Sequence, residues 1–332
     1  MYDGEKMYES FYNLRAKPFQ LSPDAKFFYN SRGHKRALSY LRYGITQGEG
    51  FIVILGGIGT GKTTMVQALF DQLEDDGVVA AKLVTTQLEA DDLLRLVATS
   101  FGLSADGASK ASILKQLEAF FLAQSRLGKR VLLVVDEVQN MPMKSLEELR
   151  MLSNFQVGGT ALLQIFLLGQ QEFTTTLQAT GLEQLRQRII ASYYLKALDQ
   201  DEVKGYIEHR LTSVGWQGDP SFDESAYSEI YSYTSGVPRK INTFCDRLML
   251  FGYLEEIHDF TAGVVLDVVS ELQGEVLYVQ KENPEAPRKE PKASQELVEM
   301  EQRLCVLEEK VEAFGDGLRS QRSLLARLWP SR

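Results

Sequence analysis

The chain has 332 residues, of which 44% are hydrophobic and 24% are charged. This length favours about two domains, and the apolar content excludes a chain that is disordered throughout. The formal net charge of −9 makes a dedicated nucleic-acid binder a poor first hypothesis, because phosphate binding depends on positive charge. A local basic patch remains compatible with that charge.

The cysteines, histidines and hydropathy indicate the compartment. Cys245 and Cys305 lie far apart and the three histidines are not clustered, so we expect neither a disulfide framework nor a structural zinc site. The sequence contains no run of about 18 apolar residues, so it predicts no membrane span. The first ten residues lack the pattern of a secretory signal. The sequence therefore predicts a cytoplasmic protein.

Residues 1–50 are rich in aromatic side chains and end in a predicted helix over 31–47 that leads into the core. Between 51 and 198, short apolar runs alternate with helical patterns, which predicts an α/β core with a parallel five-stranded sheet and helices on both faces. The predicted strands are 51–55, 78–84, 131–135, 162–168 and 189–195. The predicted core helices after the first are 63–73, 91–101, 109–124 and 146–155.

Beyond residue 198 the strand pattern stops. Helices predicted over 199–214, 223–234, 238–255 and 261–272 indicate a small all-helical lid subdomain over 199–273. A charged, proline-containing linker is predicted over 274–295, followed by a short coiled coil with a basic amphipathic end over 296–332. This end has the composition of a membrane-surface segment, so peripheral contact with the inner face of the cytoplasmic membrane is a further hypothesis; a frayed, solvated terminus is its alternative.

The strongest chemical signal is a glycine-rich loop between the first strand and the next helix. It matches G-x-x-x-x-G-K-[ST], a loop whose backbone N–H groups cradle phosphates while the lysine contacts the β- and γ-phosphates and the hydroxyl reaches Mg²⁺. Thr64 then starts the helix. We therefore expect ATP and Mg²⁺ as ligands of this loop, with Thr63 as a metal ligand. The expected nucleotide-binding residues are Gly56, Gly57, Ile58, Gly59, Thr60, Gly61, Lys62, Thr63 and Thr64.

The strand at 131–135 runs directly into Asp136 and Glu137. An apolar strand that ends in two carboxylates after such a loop is typical of a Walker B element. Asp136 is then expected to hold Mg²⁺, and Glu137 to act as the general base on the attacking water. A strand that ends in two solvated acids is the structural alternative.

Four further residues are candidates for the same chemistry. Gln170 follows the fourth strand and is expected to lie between the two Walker elements, where it can orient the water. Arg186 and Arg188 precede the fifth strand and are predicted to reach the γ-phosphate of a neighbouring subunit, with Arg188 slightly favoured. Arg239 opens a lid helix after Gly-x-Pro and is placed to fold over bound phosphates.

Taken together, these motifs resemble the AAA+ ATPases of the general secretion pathway protein A type. The P-loop, DE-x-QN at 136–140, GQ at 169–170, LRQRI at 185–189 and GVPRKIN at 236–242 carry the resemblance, and longer stretches such as 31–54 and 182–195 are similar to the exosortase/PEP-CTERM-associated ATPases. The resemblance implies ATP hydrolysis at the subunit interfaces of a ring or other oligomer, and a genetic association with exopolysaccharide synthesis and exosortase-type protein sorting. We therefore expect a ring-type homo-oligomer, with membrane-associated secretion or polysaccharide machinery as its partner.

Two other functions remain open. A DNA-dependent ATPase of the transposition-helper type shares these motifs, but the acidic charge and the lack of an obvious helix-turn-helix argue against nucleic acid as a partner. A nucleotide-gated scaffold that hydrolyses little is the third reading, against which Glu137 and the paired arginines argue.

Overall fold

The structure, a computed structural model, describes residues 7–22, 24–73, 77–84 and 90–282. The predicted coiled coil and basic end over 296–332 lie outside these residues and remain predictions. One compact unit extends to Glu271. Within the described ranges, no helix is both long enough and apolar enough to cross a lipid bilayer.

A parallel sheet of five strands forms the centre of this unit, as predicted. The strands follow the order β2-β3-β4-β1-β5 across the sheet. The middle strands β1 and β4 are buried along their whole length, which explains their continuous apolar sequences. The strands are Phe51–Gly56 (β1), Val78–Val84 (β2), Arg130–Asp136 (β3), Gln164–Gly169 (β4) and Ile189–Leu195 (β5).

Helices cover both faces of the sheet. Because side chains alternate along a strand, Ile52 and Ile54 pack on one face, against α1 and α2, while Phe51 and Val53 pack on the other. The second face is covered by α3, α4 and α5. The core helices are Arg32–Gln47 (α1), Lys62–Leu73 (α2), Ala90–Ser100 (α3), Lys110–Arg126 (α4) and Met143–Leu152 (α5).

Four helices follow the sheet, as predicted, and the region that they form is called the lid below. Asp199 and Asp223 cap the first two of them, which is why these helices begin where they do. The lid helices are Gln200–Ser213 (α6), Glu224–Thr234 (α7), Pro238–Leu254 (α8) and Ala262–Glu282 (α9).

Three details differ from the sequence-based expectations. The lid is not purely helical, because Ser221–Phe222 pairs in parallel with Asp259–Phe260. An antiparallel hairpin of two short strands, Gln156–Val157 and Thr160–Ala161, precedes β4. Helix α9 continues to Glu282, so the linker does not begin at 274. Strands this short escape a pattern that needs four or more residues to show its period.

The N-terminal aromatic segment packs against the lid, whereas α1 covers the core sheet. The Tyr8 hydroxyl donates to Asp246 and the Tyr12 hydroxyl to the carbonyl of Ile257. Arg210 of α6 donates from Nε to the carbonyl of Pro18 at 2.6 Å. The segment that precedes the core therefore ties the lid to the start of the chain, instead of leading only into the core as the sequence suggested.

Candidate active site

The glycine-rich loop joins the carboxyl end of β1 to the start of α2. Lys62 is 6% exposed, and its Nζ donates to the carbonyls of Gly56 and Gly57 at 2.8 and 3.0 Å. Burial lowers the pKa of Lys62 from its ordinary value, and the nearby carboxylates Glu137 and Asp136 act in the opposite direction. The ammonium is thus held inside the loop that would surround a phosphate.

The other loop residues hold this shape. The Thr60 hydroxyl donates to the carbonyl of Gly57 at 2.9 Å, which closes the loop on itself. Ile58 is 66% exposed and lines the same cavity as Gly59, Gly61, Thr63 and Thr64. That cavity has a volume of about 360 Å³.

Thr63 and Asp136 meet where β3 ends. The Thr63 hydroxyl donates to Asp136 Oδ2 at 3.0 Å, and Lys82 of β2 approaches the same oxygen at 3.0 Å. Asp136 is 2% exposed and also accepts from the backbone N–H of Glu137. A hydroxyl and a carboxylate brought together beside a P-loop fit Mg²⁺, which prefers hard oxygen ligands.

Glu137 is fixed by two glutamines. Its Oε2 accepts from Gln139 Nε2 at 2.6 Å and from Gln170 Nε2 at 3.3 Å. The two glutamines are also joined, because Gln139 Oε1 accepts the backbone N–H of Gln170 at 3.0 Å. Glu137 has a φ of 56°, a left-handed conformation that is uncommon for a residue with a side chain. The predicted position of Gln170 between the Walker elements follows from β4 lying between β1 and β3.

Gln139 was not assigned a role from the sequence. The only signal was its place two residues after Glu137, within the DE-x-QN stretch. Its contact with Gln170 depends on the neighbouring strands β3 and β4, which local sequence does not reveal.

The lid touches the loop directly through the start of α8. The backbone N–H of Arg239 donates to the carbonyl of Gly59 at 3.1 Å. Gly59 has a φ of 78°, and a Cβ there would lie 2.5 Å from the Cβ of Arg239. Glycine is therefore required both by the backbone conformation and by the approach of the lid. Arg239 lines the cavity, and its expected contact with bound phosphates stays a prediction.

The remaining wall of the cavity comes from the N-terminal segment and the lid. Phe27 and Tyr29 line it together with Tyr206, Arg210 and Asn242. The Arg210 guanidinium lies 4.6 Å from the centre of the Phe27 ring, and the Tyr206 hydroxyl donates to Asn242 Oδ1 at 2.7 Å. The aromatic content of residues 7–50 was visible in the sequence, but nothing there placed these rings beside the P-loop.

His34 of α1 lines the cavity and supports the loop. Its Nε2 lies 3.1 Å from the Thr60 carbonyl and its Nδ1 lies 2.7 Å from the Ser31 hydroxyl. A Cβ on Gly61 would lie 2.9 Å from the same Nε2. Burial lowers the pKa of His34 to about 4, so the imidazole is neutral at pH 7.

Arg186 and Arg188 do not line this cavity. Arg186 donates from Nη1 to the carbonyl of Leu177 at 2.6 Å, and Arg188 donates from Nη1 to the Ser153 hydroxyl at 3.1 Å. The Arg188 carbonyl accepts from the N–H of Phe51, the first residue of β1. Both arginines precede β5 and thus lie at the amino edge of the sheet, whereas the P-loop lies at the carboxyl edge.

Comparisons with known proteins agree with this architecture. Residues 45–177 match the AAA domain family. Two solved structures share the fold: the ADP form of the ORC2 protein of Aeropyrum pernix (TM-score 0.57, 17% identity, 76% of this chain and 72% of that chain) and Cdc6p from Pyrobaculum aerophilum (TM-score 0.57, 14% identity, 73% of this chain and 67% of that chain). Residues 45–177 therefore match an AAA domain, and the chain shares the fold of these two structures.

A curated relative narrows the relationship. Over 269 residues, or 81% of the chain, the sequence is 35% identical to General secretion pathway protein A of Aeromonas hydrophila. The chain spans about half the length of that relative, since the match covers 49% of it. The chain thus contains a region that matches the AAA domain family and is similar to general secretion pathway protein A, a similarity that its motifs implied. The closer resemblance to exosortase/PEP-CTERM-associated ATPases remains a prediction.

Proposed function

We propose that the protein hydrolyses ATP to ADP and phosphate with Mg²⁺ in the cavity between the P-loop and the lid. The observation that carries this proposal is the convergence on one cavity of Lys62, Thr63, Glu137 and Gln170 with Arg239 from the lid. Phosphoryl transfer to water needs such a set of groups: a cation, a metal-binding hydroxyl, a base, an amide and a lid arginine.

Each side chain has a distinct task in this reaction. Lys62 stabilises the negative charge on the β- and γ-phosphates, while Thr63 and Asp136 would hold Mg²⁺. The metal, when bound, neutralises charge on the phosphate oxygens. Glu137 accepts the proton of the water whose oxygen attacks the γ-phosphorus, and the bond to the β-phosphate oxygen breaks as ADP leaves.

Gln139 and Gln170 hold the Glu137 carboxylate in place. Both amides donate to Glu137 Oε2, so the carboxylate that receives the proton keeps one orientation. Arg239 lies on the lid side of the same cavity, where its charge can draw the lid towards the phosphates. The two halves of the site therefore close around ATP and separate once phosphate has left.

We further propose that hydrolysis takes place in a homo-oligomer. Arg186 and Arg188 lie at the sheet edge opposite the P-loop, so they serve a neighbour's nucleotide and not their own. An arginine supplied in trans contributes on the order of 10³–10⁵ to the rate of such reactions. Activity per protomer should then rise with protein concentration.

The direct test uses Lys62→Ala with Lys115→Ala as its matched control. Lys115 lies exposed on α4 and is not among the described residues that line the cavity, so its replacement removes an equal charge outside the site. We expect Lys62→Ala to abolish nucleotide binding and hydrolysis, and Lys115→Ala to keep both. Hydrolysis by Lys62→Ala at the rate of the parent would refute the proposal.

For the biological process, we propose that the ATPase powers or regulates an envelope secretion system, of the exopolysaccharide or exosortase type. The relationship to general secretion pathway protein A supports secretion, and the motif resemblance supports the finer assignment. Affinity capture with Glu137→Gln in the presence of ATP should retain membrane-associated secretion or polysaccharide components. Stimulation of the parent's ATPase by duplex DNA at physiological salt would instead favour the DNA-dependent alternative.

A further inference from the structure

Lys82 is a charged residue in a strand that is otherwise apolar. It lies on β2, in register with Val134 of β3, and its side chain is 24% exposed. Ala80, two residues earlier on the same face, packs against the cluster that α2 and β3 form. Lys82 therefore lies on the sheet face that the P-loop helix covers.

From this position the lysine reaches the Walker B carboxylate. Lys82 Nζ lies 3.0 Å from Asp136 Oδ2, the oxygen that also accepts from Thr63 at 3.0 Å. The side chain of Asp136 is 3% exposed, so a cationic partner matters here more than at the surface. The ammonium and the threonine hydroxyl thus converge on one oxygen.

That oxygen belongs to the pair of groups that would hold Mg²⁺. A cation already at Asp136 Oδ2 neutralises the charge that attracts the metal and repels a second cation at short range. Lys62 and Arg239 line the nucleotide cavity, whereas Lys82 is not among the described residues that do. Its contact is with the carboxylate and not with the space for the phosphates.

We propose that Lys82 is an internal competitor of Mg²⁺: it holds Asp136 and Thr63 together before the metal arrives and must give way when Mg²⁺ binds. This inference rests on the proposed ATPase site and adds a property that a P-loop and a Walker B element alone do not require. Lys82 raises the Mg²⁺ concentration at which the site loads, and it stabilises the metal-free protein.

The test compares Lys82→Gln and Lys82→Arg with the parent, and uses Lys115→Gln as the matched surface control. The full chain is titrated with Mg²⁺ while binding of a fluorescent, non-hydrolysable ATP analogue is measured. The thermal unfolding midpoint is measured without nucleotide, with and without Mg²⁺. Glutamine keeps a hydrogen-bond donor near Asp136 but removes the charge, and arginine keeps the charge.

We expect the half-saturating Mg²⁺ concentration of Lys82→Gln to fall by about 3- to 10-fold, because one local positive charge is lost. Lys82→Arg should need at least as much Mg²⁺ as the parent, and Lys115→Gln the same amount. Without nucleotide or metal, Lys82→Gln should unfold several degrees lower than the parent, about 2–8 °C. Mg²⁺ alone should then stabilise it more than it stabilises the parent.

Three results would overturn the inference without touching the proposed function, provided that the parent binds the analogue. The first is an unchanged Mg²⁺ midpoint in folded Lys82→Gln. The second is a midpoint of Lys82→Arg as low as that of Lys82→Gln. The third is weaker binding of the analogue by Lys82→Gln at saturating Mg²⁺. The last would make Lys82 a phosphate ligand. Failure of the parent to bind the analogue at any Mg²⁺ concentration would refute the proposed function, and this inference with it.

Discussion

Replacing His34 by glutamine should make the protein less sensitive to acid. The folded protein holds this imidazole neutral, with a pKa of about 4 against an ordinary value of 6.5. Between those two values the unfolded chain binds a proton that the folded chain does not. The free energy of unfolding therefore rises with pH across this window, and it falls as the pH drops from 6.5 towards 4.

The size of the effect follows from the two pKa values. With 1.36 kcal/mol per pKa unit, lowering the pH from 7 to 5 costs the folded parent about 2 kcal/mol through this one group. At pH 7, His34→Gln should be the less stable protein by about 1–2 kcal/mol, because it loses the bond to the Ser31 hydroxyl and the packing of the ring against Phe28. Near pH 5 the two proteins should have similar stability.

The assay is urea unfolding of both proteins at pH 7 and pH 5, followed by circular dichroism. Ser31→Ala is the matched control, because it removes the partner of His34 Nδ1 and keeps the buried imidazole. Its deficit should be nearly the same at both pH values. If the deficit of His34→Gln is also independent of pH, burial does not hold this histidine neutral and the reasoning fails.

Three further predictions concern the site. Gly59→Ala should weaken nucleotide affinity by at least about 10-fold in a binding titration, since the new methyl strains the loop and strikes Arg239; unchanged affinity would show that the lid does not contact the loop in solution. Gln139→Ala should lower kcat about 10- to 100-fold with little change in KM, because it frees the Glu137 carboxylate; a change in KM alone would contradict this role. Mixing inactive Lys62→Ala with inactive Arg188→Ala should restore part of the ATPase rate, since mixed interfaces pair an intact pocket with an intact arginine; no recovery, despite mixed oligomers, would exclude Arg188 as the arginine supplied in trans.

Much of the fold could be predicted because its signals are local. Strands buried on both faces, such as β1 and β3, need continuous apolar runs, and the glycine-rich loop between β1 and α2 has fixed spacing. Lys62, Thr63 and the two carboxylates at the end of β3 could be predicted for the same reason. Their conformations depend on residues within one strand, one loop and one helix turn.

The rest of the site depends on contacts that distant parts of the chain make. Gln139 meets Gln170 because β3 and β4 are neighbours, and Lys82 meets Asp136 because β2 pairs with β3. Sequence alone does not give that strand order. The wall around Phe27 and Arg210 likewise forms only because the N-terminal segment returns to the lid.

Two features of the lid, its short parallel strands and the end of α9, were also not predicted from local sequence patterns. The pairing of Ser221–Phe222 with Asp259–Phe260 joins segments far apart in sequence, and two residues are too few to show a strand period. Helix α9 runs past the predicted boundary at 274 and ends at Glu282.

The most direct test of the ATPase account is the fate of bound ATP in Glu137→Gln, with Glu118→Gln, exposed on α4, as the matched control. Each protein is incubated with Mg²⁺ and radiolabelled ATP, separated from free nucleotide, and analysed for ATP and ADP. The account predicts that Glu137→Gln retains ATP and turns over at least about 100-fold more slowly than the parent, because the base is lost while the pocket is intact. Glu118→Gln should hold mainly ADP, like the parent. Recovery of ADP from Glu137→Gln at the parent's rate would contradict the account.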